Sequence, residues 1–148
     1  MQRANPGALP AQDEPHWMGM LRIPTYLAPS QIPGAGLGLY CRDLVREGTL
    51  VWRLDPGLDV ILHRLPDEPV LRRFVEVYGY MPLEDPPRWV ICIADGRFIT
   101  HADLSNTRDD AETTVALRDL QPGTEITSDY RSFCRAPFTN WPVQPPGA

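Results

Sequence analysis

The chain has 148 residues, a net charge of −5 and 43% apolar residues, and all 14 of its basic residues other than histidine are arginine. The absence of lysine excludes a P-loop and a Schiff-base lysine, and the negative charge argues against unaided binding to nucleic-acid phosphates and for a cationic partner. No run approaches the ~20 apolar residues that a bilayer requires, and no basic segment followed by an apolar stretch opens the chain, so one soluble, unsecreted domain is expected.

Cys41, Cys92 and Cys134 are odd in number and widely spaced, with no Cys-x-x-Cys. They signal neither a disulfide framework nor a zinc site and suit thiols in a reducing compartment. The expected location is the cytoplasm, or the nucleus in a eukaryote, with no metal, membrane or nucleic acid as partner.

In chain order, residues 1–20 contain three prolines and no periodicity, and read as a flexible tail. Gly34-Ala35-Gly36-Leu37-Gly38-Leu39-Tyr40 is a glycine-rich segment running into a strand. A dinucleotide-binding loop would open a helix instead, so that reading fails on context. Glycines alternating with apolar residues mark either close approach by a ligand or another segment, or a bulge or tight bend. Thr49 to Trp52 and Gly57 to Leu62 read as further strands. Pro66-Asp67-Glu68 resembles a helix start, and the spacing of Leu71, Phe74, Val75 and Tyr78 predicts a helix over Leu71 to Tyr78.

Asp95-Gly96, between Trp89–Ala94 and Arg97–Ile99, predicts a type I′ hairpin. The polar stretch His101 to Asn106 then reads as a loop. Two more strands, Thr113 to Arg118 and Thr124 to Thr127, flank Gln121-Pro122-Gly123, which predicts a type II turn. Asp129-Tyr130 ends the second of them. Phe133, Phe138 and Trp141 are large aromatics in a loop-like segment and are expected over a groove or on the core. Residues 142–148 read as a second flexible tail. The fold class is mainly β, with short strands and a single helix.

Taken in order, three segments resemble the SET domain family of protein methyltransferases. Gly34 to Tyr40, followed by Gly48 and the strand ending in Trp52, is similar to the family's early Gly-x-Gly motif. Arg97-Phe98-Ile99-Thr100-His101 to Asn106 is similar to Arg-Phe-x-Asn-His-Ser-x-x-Pro-Asn. Leu117 to Tyr130 is similar to the region ending in Leu-Thr-x-Asp-Tyr. The resemblance covers about Pro24 to Tyr130, and the cysteine-rich flanking modules of many members are absent, which makes this a short form.

The resemblance implies a SET domain over 21–141, of the β-clip type, with a threaded C-terminal segment; 98–106 and 129–141 would form the threaded active-site region. It implies S-adenosylmethionine-dependent methyl transfer, needing no metal, to a lysine side chain of a basic protein or peptide. Tyr130 would orient the amine. Gly34, Gly36, Leu37, Gly38, Arg97, Phe98, Thr100 and His101 would hold the cofactor; Tyr40, Tyr78 and Phe98, with Tyr80 a further candidate, would line the lysine channel; and Phe133, Phe138 and Trp141 would form a lid. Asn106 would tie its loop together. The departures from the family pattern are Thr100 for Asn, Ala102 for Ser, Asp103 where Cys is common and Ser105 for Pro. They motivate the alternative of a catalytically inactive SET-like interaction module.

Overall fold

A computed structural model describes residues 20–84 and 86–135. The expected tails lie outside it, apart from Met20, which is buried beside Trp52 and Cys92. The element order is β1 (Thr25–Pro29), β2 (Leu37–Cys41), β3 (Leu50–Arg53), β4 (Val60–Leu62), α1 (Pro69–Tyr78), β5 (Gly79–Tyr80), β6 (Trp89–Ile91), β7 (Thr100–His101), β8 (Thr107–Asp109), β9 (Thr113–Ala116) and β10 (Thr127–Ser128). Short 3₁₀ turns occupy Asp95–Phe98 and Tyr130–Ser132. The strands form four small sheets: β1-β2, β3-β9-β8, β4-β6-β5, and the parallel pair β7-β10. Mainly β with one helix is thus the observed class. Among the described residues no helix is long and apolar enough to cross a membrane.

The core fills the space between these sheets. Leu39, Cys41, Val51, Leu120 and Ile126 have essentially no exposed surface, and Val45, Ile99 and Ala116 complete the cluster. At roughly 25 cal/mol per Å² of apolar surface, side chains of this size each contribute about 1.5–3 kcal/mol. The core therefore pins β2, the 120–126 segment and the approach to β7 to one another.

Helix α1 begins at Pro69, two residues before the expected Leu71 and just after Pro66-Asp67-Glu68, because the Glu68 carboxylate accepts hydrogen bonds from the backbone N–H groups of Val70 and Leu71 at 3.1 and 2.8 Å. Its apolar stripe is only partly covered: Val75 is buried, while Val70, Leu71 and Phe74 remain exposed. The expected turn at Gln121–Thr124 forms, with the Thr124 N–H donating to the Gln121 carbonyl at 3.1 Å and Gly123 at φ +83°.

The Asp95-Gly96 hairpin does not form. A type I′ turn needs left-handed backbone at both residues, and neither has it. The cause lies in β6, whose two edges are taken by β4 and β5, so residues 97–99 have no edge to return to. Beyond the strand, the Ile93 N–H donates to Asp59 Oδ1 at 3.0 Å and Trp52 packs over Gly96 and Cys92, which leaves the chain to turn tightly. Tertiary contacts override the local turn preference here.

The strand leading to Tyr130 is threaded. On one side the Ile126 N–H donates to the Leu39 carbonyl and the Ser128 carbonyl accepts from the Ala102 N–H. On the other, Thr127 N–H donates to Asn106 Oδ1 at 2.9 Å and the Thr127 carbonyl accepts from Thr107 Oγ1 at 2.7 Å. Successive strand residues face opposite ways, so the segment passes between the two limbs of the 100–107 loop, bonded to each.

Candidate functional site

The threading fixes Tyr130. Its ring is buried, its hydroxyl donates to the Ile99 carbonyl at 2.5 Å, and its backbone N–H donates to His101 Nδ1 at 3.1 Å. Because Nδ1 accepts, the His101 proton sits on Nε2, which donates to Asp103 Oδ1 at 3.0 Å. His101 is thus a brace for the Tyr130 backbone, and its ring lies 5.3 Å from the phenol ring. Outside the brace, Arg131 forms an ion pair with Asp129 at 2.8 Å that holds the Asp129 carboxyl below its usual range.

Tyr130 lines a cavity of about 60 Å³ together with Tyr78, Tyr80, Trp52, Ile99 and Phe133. Phe133 stands edge-on to both Tyr80 and Tyr130, with ring centroids 5.3 and 5.9 Å apart. Tyr80 is anchored by its hydroxyl, which donates to the Ala111 carbonyl at 2.8 Å. Burial, followed by the nearby Asp109 carboxylate, pushes the Tyr130 phenol well above its ordinary range, so it remains a hydrogen-bond donor. Burial likewise pushes the Cys92 thiol up to about 12 and raises Cys134, so both stay protonated.

Of the residues expected at the site, Tyr130, Tyr78, Tyr80, Arg97 and Phe133 line this cavity, and Phe98 meets the Tyr78 ring at 6.0 Å. Phe133 is part of the cavity wall; Phe138 and Trp141 lie outside the described residues. Tyr40 does not join them. It stacks on Tyr26 at 5.3 Å and its hydroxyl donates to the Pro29 carbonyl at 2.6 Å. An aromatic at the end of a motif strand looks like a channel residue in sequence, but β1 and Glu125 claim its ring and hydroxyl.

The expected cofactor segment separates into parts with different physical causes. Gly34 follows Pro33 in a tight turn closed by the Ala35 N–H to the Ile32 carbonyl at 3.2 Å, and its φ of +78° is what such a turn requires. Gly38 lacks a side chain because Glu125 is there: a Cβ would collide with the carboxylate and lie 2.9 Å from its Cδ. Glu125 in turn accepts from Ser30 Oγ at 2.5 Å and from the Gln31 N–H at 2.9 Å, tying the glycine segment to the threaded strand. Gly36 has no such neighbour. Its φ is +75° and nothing lies within 4 Å of where a Cβ would stand. The side where a Cβ would stand is therefore open, while the Gly36 carbonyl accepts from the Ser30 N–H at 2.8 Å. Gly36 lies next to Leu37 at the start of β2, the strand that packs against the 3₁₀ turn carrying Arg97 and Phe98.

Thr100 is buried in β7, and its hydroxyl reaches only the Phe98 carbonyl, at 3.4 Å. Asn106 ties the loop as expected: its side-chain amide donates to the Glu125 carbonyl at 2.8 Å and accepts from Thr127 N–H.

Sequence reasoning missed Asp109. Its carboxylate lies in the cavity wall and accepts from the hydroxyls of Thr114 and Ser128, with Thr107 Oγ1 at 3.1 Å. Asp109-Asp110 after a polar loop looks like a solvated pair; only the convergence of residues 107, 114 and 128 distinguishes one of them.

No family model matches the chain, and no curated protein does. Solved structures do. One is Chaetomium thermophilum Polycomb Repressive Complex 2 bound to S-adenosylmethionine, at 24% identity and a TM-score of 0.57, over 74% of this chain and 15% of that one. The chain has a SET-like fold. The same complex with histone H3 carrying a trimethylated or methionine-substituted lysine matches at 25% identity and a TM-score of 0.57, over 73% of this chain and 14% of that one. A Plasmodium falciparum protein described as a histone methyltransferase matches at 18% identity and a TM-score of 0.53, over 73% of this chain and 93% of that one. The SET-like chain thus spans about 15% of the length of the Chaetomium chain bound to the cofactor.

Proposed function

We propose that this chain is an S-adenosylmethionine-dependent methyltransferase acting on a lysine side chain of a protein or peptide. The observation that carries the reading is the buried Tyr130 phenol, held by the Ile99 carbonyl and His101 in the wall of an aromatic cavity. The solved structures of similar fold that hold S-adenosylmethionine or histone H3 support the cofactor and a basic protein segment as substrate.

When bound, S-adenosylmethionine supplies an electrophilic methyl group on a sulfonium. The residues present fit such a group at Gly36, where the side on which a Cβ would stand is open. Gly34, Gly36, Leu37 and Gly38 would lie along it, with Arg97, Phe98, Thr100 and His101 at its other side. The chain's own contribution is to strip water from the amine and aim it. Making a neutral lysine amine near pH 7.4 costs about 4 kcal/mol from an unperturbed pKa of ~10.4, and burial among Tyr78, Tyr80 and Phe133 lowers that cost. The protonated Tyr130 hydroxyl is a fixed partner for the amine, converting an encounter into a positioned attack. The cytoplasm remains the proposed location.

Gly36 gives the test. Gly36→Val places a branched side chain into the open face and strains a left-handed backbone, so calorimetric affinity for S-adenosylmethionine is expected to fall about tenfold or more, with only a modest loss of stability. Unchanged affinity would move the cofactor elsewhere.

Thr100 favours a second reading, an interaction module without catalysis. Its hydroxyl offers one donor where the family's Asn offers two, and it points at its own chain. Absence of binding at millimolar S-adenosylmethionine would select this reading.

A further inference from the structure

We propose that Asp109 receives the ammonium group of the substrate inside the cavity and takes up its proton, which makes the site selective for an unbranched primary amine. The proposal rests on the reading of the chain as a lysine methyltransferase and adds a residue and a proton acceptor to it.

Three observations converge on Asp109. Its carboxylate lines the same cavity as Tyr130, Tyr80 and Cys134, and its charge acts on the titration of all three. Among the described residues no cation pairs with it; its partners are the hydroxyls of Thr107, Thr114 and Ser128. The other charged groups at the cavity are committed. Asp110 accepts from the N–H groups of Glu112 and Thr113 and from Thr113 Oγ1, and Arg97 donates to the Ile93 carbonyl and lies over the Phe98 ring. A carboxylate out of bulk water without a counter-ion is costly unless a cation joins it.

The hydrogen-bond accounting shows where a proton goes. Thr107 Oγ1 has one proton, and it is directed at the Thr127 carbonyl at 2.7 Å, so in its 3.1 Å contact with Asp109 Oδ2 the hydroxyl oxygen is free to accept. Oδ1 accepts only from Thr114, which leaves it a free lone pair for an incoming N–H. A substrate ammonium bound there transfers one proton to the carboxylate. The N–H bond breaks, its electron pair stays on nitrogen, and an O–H bond forms at Oδ1, the oxygen that receives the N–H, beside the Thr114 hydroxyl. One positive and one negative charge vanish together, which a low-dielectric cavity favours. Burial already pushes the Asp109 carboxyl upward. Tyr80, Tyr130 and Cys134 are raised by burial and stay neutral; burial opposes ionisation of Asp110, but its hydrogen bonds hold it low and charged. Asp109 is the facing group placed to take a proton.

The test uses the full chain and two probes of equal length, n-butylammonium and n-butanol, titrated by NMR, together with methyl transfer to lysine peptides against pH. The wild type is expected to bind n-butylammonium about tenfold or more tightly than n-butanol, and Asp109→Asn to lose that preference. Transfer by Asp109→Asn at pH 7.5 is expected to fall about 100-fold and to recover about tenfold per pH unit toward pH 9.5, as solution supplies the free amine. A wild type that binds both probes equally, or an Asp109→Asn enzyme with the wild-type pH profile, overturns the proposal. The probe comparison on the wild type does not depend on the variant folding. A wild type that prefers n-butylammonium but transfers no methyl group upholds the cation site and sinks the methyltransferase reading.

Discussion

Tyr130→Phe lowers the methyl-transfer rate by about 100-fold or more while leaving S-adenosylmethionine affinity within about twofold, in single-turnover assays and calorimetry. The phenyl ring keeps its place between His101 and Phe133, so the cavity wall survives. Only the hydroxyl is lost, and with it the fixed oxygen in the wall that accepts an N–H of the amine. The Ile99 carbonyl loses its partner as well, at a cost of about 1–3 kcal/mol, which for a domain of this size is a fall of several degrees in melting temperature. The rate loss is thus distinguishable from unfolding. A variant with normal turnover removes Tyr130 from the chemistry.

Asn106→Ala carries the largest expected loss of stability. The Asn106 amide bridges the Glu125 carbonyl and the Thr127 N–H, both on the threaded strand, and it is buried. Alanine leaves two buried backbone groups without partners and a cavity beside them, so chemical denaturation is expected to show a loss of about 3–4 kcal/mol. Because the same strand delivers Tyr130, activity is expected to fall with it. Asn106→Asp separates the causes: ionised, it keeps the acceptor toward Thr127 and lacks the donor toward Glu125, while at low pH its O–H restores that donor, so the loss of stability is expected to be smaller at low pH than at neutral pH. A fully stable Asn106→Ala variant would mean that the core alone holds the thread.

Much of the fold was legible because its signals are local. Glu68 and Pro69 begin a helix by capping chemistry, and Pro122-Gly123 sets a turn by its own backbone limits. The order of the glycine segment, the Arg97 to Asn106 stretch and the Asp129-Tyr130 end pointed to the threaded arrangement. Asp95-Gly96 misled because the outcome depends on strands upstream, Val60–Leu62 and Gly79–Tyr80, that occupy both edges of β6. Tyr40 misled for a similar reason, since the group that claims its hydroxyl from the far end of the chain, Glu125, was not visible as its partner. Asp109 was invisible because three hydroxyls from separate segments define it. In the glycine segment the sequence left ligand approach and tight bend both open. Gly34 serves a bend and Gly38 makes room for Glu125, which leaves Gly36 as the glycine of the three with an open side.

The most direct measurement is transfer of a labelled methyl group from S-adenosylmethionine to a set of basic lysine peptides, run with the wild type and Tyr130→Phe side by side. Label on lysine with the wild type, reduced about 100-fold or more in the variant, is the predicted result. No label with a wild type that is folded and supplied with millimolar S-adenosylmethionine, or equal label with both proteins, would contradict it.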